Sequence, residues 1–343
     1  MRGLLRLTAP LPRFLLRPTR ATPLTRCASK SNASRPKMAS GGDDGEGKRP
    51  QFGGRLLTDP RNVFEHNAWD NVVWDEEQEE AARLQVERNS RVSISEEKIE
   101  EYERRAAHYW DAFYTVHSNR FFKDRHWLFT EFPELGRDGD DNDDYPGCRA
   151  TRRILEVGCG AGNTVFPILR ADADPALFVY ACDFSAAAVS LVRAHADYGA
   201  ATCHAFVVDV AAGDDPTFPF PDASLDVVAC VFVLSAIDPQ RAPAAVARLA
   251  RLLRPGGRLL VRDYGRYDMA QLRFPPGRRI ADNFYARGDG TRCYFFSPDD
   301  MKALLGGAGL VEESCHVDRR LQVNRGRRLK MYRVWIQCKY RKL

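Results

Sequence analysis

A short apolar run that enters a glycine turn places the strongest constraint on the fold of this chain. Residues 153–157 are mostly apolar, and glycines follow at positions 158, 160 and 162. Glycine tolerates positive φ and lets backbone N–H groups approach a ligand without a Cβ in the way. The pattern predicts a buried strand, a cofactor-binding turn and a helix that starts near Thr164. An ordinary strand-to-helix turn is the alternative.

Short apolar runs alternate with helical patterns from this turn to the end of the chain. Such alternation predicts parallel βαβ units, and hence an α/β fold with helices on both faces of a mostly parallel sheet. Strands are predicted near residues 153–157, 178–182, 204–208, 226–233, 258–262, 310–317 and 330–338. Helices are predicted near residues 164–170, 185–197, 239–253 and 298–306.

The first 37 residues differ sharply in charge from the rest of the chain. They hold nine basic residues and no acidic one, whereas the whole chain of 343 residues carries a net charge of +5, so that 5 − 9 = −4 remains for the rest. An Arg-rich, Leu-rich and acid-free leader is typical of a mitochondrial transit peptide. Met38 begins a segment that itself resembles a protein N-terminus, which predicts a second, cytosolic form.

The segment between this leader and the glycine turn divides by composition. Helical patterns at 75–91 and 95–132 indicate a helical extension, and the acidic run that follows lacks the spacing of an EF-hand and is predicted as a linker. The predicted organisation is a transit peptide at 1–37, a flexible segment at 38–51, a helical extension at 52–135, an acidic linker at 136–149 and an α/β domain at 150–343.

Composition excludes two classes of protein. No apolar run approaches the length of a membrane span, so no membrane partner is expected. The nine cysteines have neither CxxC nor Cys/His ligand spacing, so no metal site is predicted.

An aromatic and basic segment lies in the second helical region. Trp110 and Tyr114 are four residues apart and therefore share one helix face. Arg120, Lys123 and Arg125 follow, interleaved with further aromatic residues. The pattern is compatible with core packing, with a helix that has one wet face, and with an RNA contact surface.

Carboxylates follow three of the predicted strands, where an open parallel sheet binds its ligands. Asp183 can accept hydrogen bonds from ribose hydroxyls, and Asp209 from an adenine amino group. A dinucleotide fingerprint needs glycine where this chain has Asn163, and Glu156 beside the turn would repel a pyrophosphate. The same carboxylate suits the ammonium of a methionine moiety. These features favour S-adenosylmethionine over NAD.

Several longer runs resemble the tRNA N3-methylcytidine methyltransferases of the methyltransferase-like family. The resemblance covers about residues 51–340, and its motifs outside the glycine turn are the more specific ones. They lie at residues 67–72, 119–128, 155–163, 232–236, 262–268 and 283–292.

The resemblance implies a class I methyltransferase fold with a seven-stranded sheet. It also implies formation of N3-methylcytidine at position 32 in the anticodon loop of threonine-, serine- or arginine-type tRNAs. The expected partners are the tRNA anticodon stem-loop and an aminoacyl-tRNA synthetase or other tRNA-binding protein, with the enzyme a mitochondrial monomer. By motif, the cofactor contacts fall on Trp110, Tyr114, Gly158, Asp183, Asp209, Val210 and Val231, joined by Glu156 and Gly160 of the turn.

The implied chemistry needs no strong base, because neutral cytosine already carries a lone pair on N3. Positioning should dominate catalysis, with the base turned into a pocket. Because the product is a cation, we expect Asp263 to stabilise the developing charge, with Arg262 and Tyr264 holding the nucleotide. The expected substrate-binding residues are Arg120, Lys123, Arg125, Arg266, Arg287 and Arg292.

The C-terminal segment after Asp318 holds ten basic residues and no acidic one, which predicts a phosphate-binding face. Two other functions fit the same residues. One is an S-adenosylmethionine-dependent methyltransferase with a protein or small-molecule substrate, and the other is a non-catalytic RNA-binding protein. The intact Glu156, Asp183 and Asp209 argue against the second.

Overall fold

The computed structural model describes residues 54–125, 127–132, 135, 145–171 and 176–343. These residues belong to one compact unit, Arg49–Leu343. The predicted transit peptide, the flexible segment with Met38, and residues 136–144 of the predicted acidic linker lie outside the described residues.

Strands of the α/β domain occur where apolar periodicity predicted them, although several are longer. The strands are β1 (Ala68–Trp69), β2 (Arg152–Val157), β3 (Leu177–Asp183), β4 (Cys203–Val207), β5 (Leu225–Val231), β6 (Leu253–Tyr264), β7 (Arg279–Ala281), β8 (Phe284–Ala286), β9 (Arg292–Tyr294), β10 (Leu310–Asn324) and β11 (Leu329–Lys342). The last two extend well beyond the predicted bounds because they pair with each other along almost their whole length.

The main sheet has the order β1-β10-β11-β6-β5-β2-β3-β4. Strands β2 to β6 pair in parallel, whereas β11 is antiparallel to both β6 and β10. The predicted seven-stranded, mostly parallel sheet is therefore confirmed, and the two-residue strand β1 adds an eighth strand at one edge. In an open sheet of this kind, the crevice at the carboxyl ends of the parallel strands is the usual ligand site.

Helices cover both faces of this sheet. The helices are α1 (Glu76–Asn89), α2 (Glu96–Arg104), α3 (Ala106–His117), α4 (Leu128–Glu131), α5 (Val165–Ala171), α6 (Ala186–Arg193), α7 (Ala242–Leu252), α8 (Met269–Leu272) and α9 (Pro298–Gly307). Neighbouring residues of β2 enter different apolar clusters: Leu155 belongs to the cluster that contains Val246 of α7 and Met301 of α9, whereas Ile154 belongs to the cluster that contains Val165 of α5 and Val189 of α6.

The helical extension departs from prediction in one respect. A continuous helical pattern over 95–132 was expected, but the structure has three helices, with breaks at Arg105 and Ser118. Ser118 has a φ of 51°, which a right-handed helix cannot accommodate. The break leaves Trp110 and Tyr114 in α3 and places Arg120, Lys123 and Arg125 in the loop that follows.

A second, three-stranded sheet with the order β7-β8-β9 was not predicted. Its strands have three residues each, too few for period-two alternation to be visible in the sequence. Over the described part of the chain, no helix has the length and apolar character that a membrane crossing requires.

Candidate cofactor and substrate site

The glycine turn after β2 has the backbone conformation that its composition predicts. Gly158, Gly160 and Gly162 have φ values of 63°, 52° and 85°. A Cβ on Gly160 would lie 2.3 Å from the Tyr114 hydroxyl, and one on Gly158 would lie 2.5 Å from Val233. The turn therefore excludes side chains for reasons of both conformation and space.

The carboxylate of Asp183 fixes this turn to the end of β3. Its Oδ2 accepts a hydrogen bond from the Gly160 backbone N–H at 3.0 Å, and its Oδ1 accepts one from Ser185 N–H at 3.0 Å. Burial raises the pKa of Asp183 to about 6. The side chain lines the cavity described below, where its remaining lone pairs can accept from ribose hydroxyls.

Glu156 lies beneath the turn beside Arg125. The carboxylate is 1% exposed, Arg125 Nη1 is 3.6 Å from its Oε1, and its Oε2 has no hydrogen-bond partner among the described residues. Burial raises the pKa of Glu156 to about 7. Arg125, which was predicted to contact substrate, also donates to the Thr164 hydroxyl at 2.8 Å. An unsatisfied buried carboxylate oxygen fits an ammonium ligand.

The predicted aromatic pair of α3 forms one wall of the site. Trp110 and Tyr114 are stacked, with ring centroids 5.9 Å apart. Asp111 between them accepts hydrogen bonds from the Ser185 hydroxyl at 2.6 Å and from Ala187 N–H at 3.2 Å. Asp111 was missed in the sequence because its partners lie more than 70 residues away.

A cavity of about 680 Å³ opens at the carboxyl ends of the parallel strands, within the size range of small-molecule sites. The predicted cofactor residues that line it are Trp110, Tyr114, Gly158, Gly160, Asp183, Asp209, Val210 and Val231, whereas Glu156 is buried beneath the turn and does not line it. Asp209 accepts from Ala211 N–H at 2.8 Å through Oδ1, and its Oδ2 lies 3.6 Å from Arg241 Nη2. The residues present therefore fit S-adenosylmethionine, with a cradle, two carboxylates and an aromatic wall.

The other end of the cavity is aromatic and rich in arginine. Phe232 has a φ of 61°, and its ring lies 5.0 Å from that of Tyr264. Positive φ in a bulky residue marks local strain, which often occurs at a functional position. Of the predicted substrate-binding residues, Lys123, Arg125, Arg287 and Arg292 line the cavity.

Asp263 does not reach the cavity, contrary to its predicted contact with the substrate. It is fully buried, and its two oxygens accept from Ser235 N–H at 2.9 Å and Tyr264 N–H at 2.8 Å. Burial raises its pKa to about 6. Because successive residues of a strand face opposite sides, Asp263 and Tyr264 cannot both project in the same direction. Asp263 instead holds two residues that line the cavity.

Arg262 is a second correction. The guanidinium is 4% exposed and bonded to Asp318 at 2.6 Å, and it lies between the rings of Trp127 and Trp335 at 4.7 and 4.8 Å. These contacts make it a structural cation–π pair rather than a nucleotide contact.

Arg266 and Arg120 also lie outside the cavity lining. Arg266 pairs with Asp300 at 3.0 Å, and Asp300 caps α9 by accepting from Ser297 N–H. Arg120 is exposed in the loop after α3. A bound macromolecule could contact both residues, but neither of them lines the cavity.

An ion-pair network at the cavity was missed altogether. Glu103 of α2 bonds to both Arg241 and Arg292, and Arg292 Nη2 donates to Ala236 O at 3.3 Å. The three charged side chains come from α2, the segment before α7, and β9. Nothing in the spacing of these positions along the sequence predicts the contact.

The basic C-terminal segment forms the β10–β11 hairpin. Many of its cations already have partners: Arg320 pairs with Asp318 at 3.1 Å and Arg333 with Asp268 at 2.8 Å. Arg325, Arg327 and Arg328 lie exposed at the hairpin turn. The phosphate-binding face stays a prediction, now confined to this turn and its exposed neighbours. No group of three His, Cys, Asp or Glu side chains suited to a metal ion occurs in the parts of the chain that the structure describes.

Comparison with known proteins agrees with the motifs. A methyltransferase domain model matches residues 154–257. The chain is 53% identical over 350 residues to tRNA N(3)-cytidine methyltransferase METTL2 of Danio rerio, which covers 94% of this chain and 99% of that protein. It is 56% identical over 321 residues to METTL2 of Xenopus tropicalis (86% and 95% covered), and 40% identical over 291 residues to tRNA N(3)-methylcytidine methyltransferase trm140 of Schizosaccharomyces pombe (85% and 92% covered). The predicted family resemblance is confirmed.

Replacing Glu156 with Gln should flatten the pH dependence of stability. The pKa of Glu156 rises from an ordinary 4.5 to about 7 on folding, so its stabilising effect is complete below pH 4.5 and is lost as pH rises through 7. Between pH 6 and 8 this group alone lowers the free energy of unfolding by about 1.4 kcal/mol. Urea unfolding of cofactor-free protein at both pH values should show this loss in wild type and its absence in Glu156→Gln. If the free energy of unfolding changed equally with pH in wild type and in Glu156→Gln, the assignment would be contradicted.

Replacing Gly160 with Ala should weaken binding of S-adenosylmethionine by at least about tenfold. The new Cβ would clash with the Tyr114 hydroxyl, and the alanine would have to adopt the positive φ of this position. Calorimetric titration measures the effect. The double variant Gly160→Ala/Tyr114→Phe removes the hydroxyl and separates the two causes: partial recovery indicates the clash, and none indicates backbone strain. Unchanged affinity in the single variant would rule out a tight cradle.

Proposed function

We propose that this chain, which belongs to the tRNA N(3)-cytidine methyltransferase family, transfers a methyl group from S-adenosylmethionine to N3 of a cytidine in tRNA. The observation that carries the proposal is one continuous cavity with two chemically different ends. One end has the glycine turn with Asp183 and Asp209, and the other has Phe232, Tyr264 and Arg287.

The cofactor end is suited to hold S-adenosylmethionine in one orientation. The glycine turn would meet the methionine moiety, with Glu156 acting from beneath it through water, while Asp183 would meet the ribose and Asp209 the adenine. Trp110 would cover the cofactor from α3 and exclude water. When bound, the cofactor supplies an electrophilic methyl group, which the protein needs only to orient.

The substrate end is suited to a flat base that has left its stack. Phe232 and Tyr264 offer aromatic surface next to the ends of β5 and β6, where a methyl acceptor must sit. Since N3 lies on the pairing edge of cytosine, only an unpaired base can enter, and a loop nucleotide loses little on turning out. Neutral cytosine needs no deprotonation at N3, so alignment of the lone pair with the methyl group is the main contribution.

Asp263 acts on this alignment indirectly. Its carboxylate fixes the backbone of Ser235 and Tyr264, and so the relative placement of the two strand ends that line the substrate pocket. Its negative charge, 2.8–2.9 Å from those N–H groups, also favours the cationic product more than the neutral base.

The finer identity of the substrate follows from the resemblance. We propose position 32 of the anticodon loop in threonine-, serine- or arginine-type tRNAs as the target, with the enzyme acting as a monomer and with a synthetase or other tRNA-binding protein as partner. The unpaired state that the cavity requires supports a loop nucleotide. The exposed arginines at the hairpin turn, together with Arg120 and Lys123, are suited to the tRNA backbone.

Purified protein incubated with total tRNA and labelled S-adenosylmethionine should form N3-methylcytidine, detected by mass spectrometry of nucleosides. In transcripts of single tRNAs, replacing cytidine 32 with uridine should abolish the product, whereas replacing another loop cytidine should not. Gly160→Ala serves as a control in which product formation should fall with the weakened cofactor binding. Label appearing in protein or small molecules but not in tRNA would favour the alternative methyltransferase, and tRNA binding without transfer would favour a non-catalytic role.

We also propose a mitochondrial location through residues 1–37 and a second, cytosolic form that starts at Met38. The support is the basic, acid-free composition of the leader. Residues 1–37 fused to a fluorescent protein should direct it to mitochondria, and replacing the seven arginines with glutamine should leave it in the cytosol. A fusion that stays cytosolic with its arginines intact would contradict the assignment.

A further inference from the structure

The charge balance of the cavity singles out Arg287. Several cations line the cavity, and most have a carboxylate partner: Arg125 with Glu156, Arg241 and Arg292 with Glu103, and Arg333 with Asp268. Three lack an ion pair with any described residue, and two of these, Arg104 and Lys123, are exposed to solvent. Arg287 is the partly buried member of the three.

The guanidinium of Arg287 is held in place on one side only. Nη1 donates to Arg292 O at 3.0 Å and to the Thr291 hydroxyl at 3.3 Å. Its Nε and Nη2 make no hydrogen bond to a described residue. Asp289, the carboxylate nearest in sequence, accepts instead from Thr291 N–H at 3.0 Å and from the Thr291 hydroxyl at 2.8 Å.

The turn that carries Arg287 is rigid. Arg287 N–H donates to Thr291 O at 2.7 Å, and Gly290 N–H donates to Arg287 O at 3.1 Å. Gly290 has a φ of 86°, and a Cβ there would lie 2.4 Å from the ring of Tyr109 in α3. A guanidinium fixed in this way, with two donor groups unused inside a cavity, is organised for a ligand before the ligand arrives.

We propose that Arg287 binds a phosphate oxygen of the nucleotide whose base is methylated. The proposal rests on the proposed function and names the residue that anchors the flipped nucleotide. Arg287 Cζ lies 5.7 Å from the centre of the Tyr264 ring, which places the charge at the substrate end of the cavity.

A phosphate fits this position better than the base does. Methylation makes the cytosine ring a cation, so a guanidinium directed at the ring would oppose the reaction. Asp289 and Asp263 act on the charge of Arg287 only at longer range, and no described carboxylate forms an ion pair with it. A phosphodiester would supply a direct anionic partner that matches the planar fork of the guanidinium. Phosphate oxygens and the carbonyl oxygen of the base can both accept a hydrogen bond from Arg287, and the experiments below distinguish the two.

The first test compares Arg287→Gln and Arg287→Lys with Arg273→Gln, which removes the same charge at an exposed position after α8. Loss of a hydrogen bond to a charged group should raise KM for tRNA about 10- to 100-fold in Arg287→Gln. Arg287→Lys should recover part of this. The slope of log(kcat/KM) against log salt should fall by about one. Arg273→Gln should stay within about twofold of wild type.

Cofactor affinity distinguishes phosphate binding by Arg287 from binding of the methionine carboxylate of the cofactor. The dissociation constant of S-adenosylmethionine should be unchanged in Arg287→Gln, and thermal unfolding should confirm that the variant is folded. A parallel loss of cofactor affinity would mean that the guanidinium binds the methionine carboxylate, which would overturn the proposal.

The second test combines a change in the tRNA with the Arg287→Gln variant. Two tRNAs are prepared by ligation, each with a neutral methylphosphonate in place of one phosphate, on either the 5′ or the 3′ side of the target cytidine. Each carries 2′-deoxyribose at that linkage. The control tRNA has the same 2′-deoxyribose with a normal phosphodiester. Wild type should lose about as much kcat/KM with one of the two linkages as Arg287→Gln loses with normal tRNA, and the variant should lose nothing further. Additive losses would place Arg287 on the base and overturn the proposal.

The affinity of wild type and Arg287→Gln for the same tRNAs can also be measured with S-adenosylhomocysteine in place of the methyl donor. These affinities allow the same comparisons between linkages without turnover. A wild-type protein that forms no N3-methylcytidine would contradict the proposed function. The binding contrasts would still decide whether Arg287 contacts phosphate.

Discussion

The carboxylate of Asp183 joins three parts of the molecule that must stay in register. One oxygen holds the glycine turn through Gly160, the other holds Ser185 at the start of α6, and Ser185 in turn holds Asp111 of the helical extension. Burial opposes its ionisation and raises the pKa to about 6, so its charge at neutral pH depends on those N–H donors. The cofactor cradle and the aromatic wall are therefore coupled through one side chain.

Glu103 makes a second connection, between α2 and the substrate end. One carboxylate serves two guanidiniums, those of Arg241 and Arg292. Burial lowers the pKa of Arg292 to about 10, well above neutral pH, so it stays charged. Arg287, which forms no ion pair with a described residue, adds a further cation at this end of the cavity.

The cofactor half of the site was largely predictable, because it follows from strand ends and a glycine turn. Asp183, Asp209 and Gly160 lie where the βαβ alternation predicted them. Arg262 and Asp263 were placed at the correct strand end but not in the correct direction. Hydrophobic periodicity predicts where along a strand a residue lies. The hydrogen-bond partners of its side chain cannot be predicted in this way, because they lie 28 to 75 positions away in the sequence.

The secondary structure of the substrate half escaped prediction because it is built from the segment between β6 and α9 rather than from the alternating elements, whereas its Arg287 and Arg292 were predicted through the family resemblance. Strands of three residues have no readable period, yet β8, β9 and the turn between them carry Arg287, Arg292 and the Gly290 contact with Tyr109. The same contact joins this segment to α3, whose Trp110 lines the cavity. Hydrogen bonds also link this segment to the cofactor side, because Glu103 bonds both to Arg292 of β9 and to Arg241, and Arg241 donates to Ala211 O beside Asp209. The two ends of the cavity are therefore coupled through Glu103 as well as through α3.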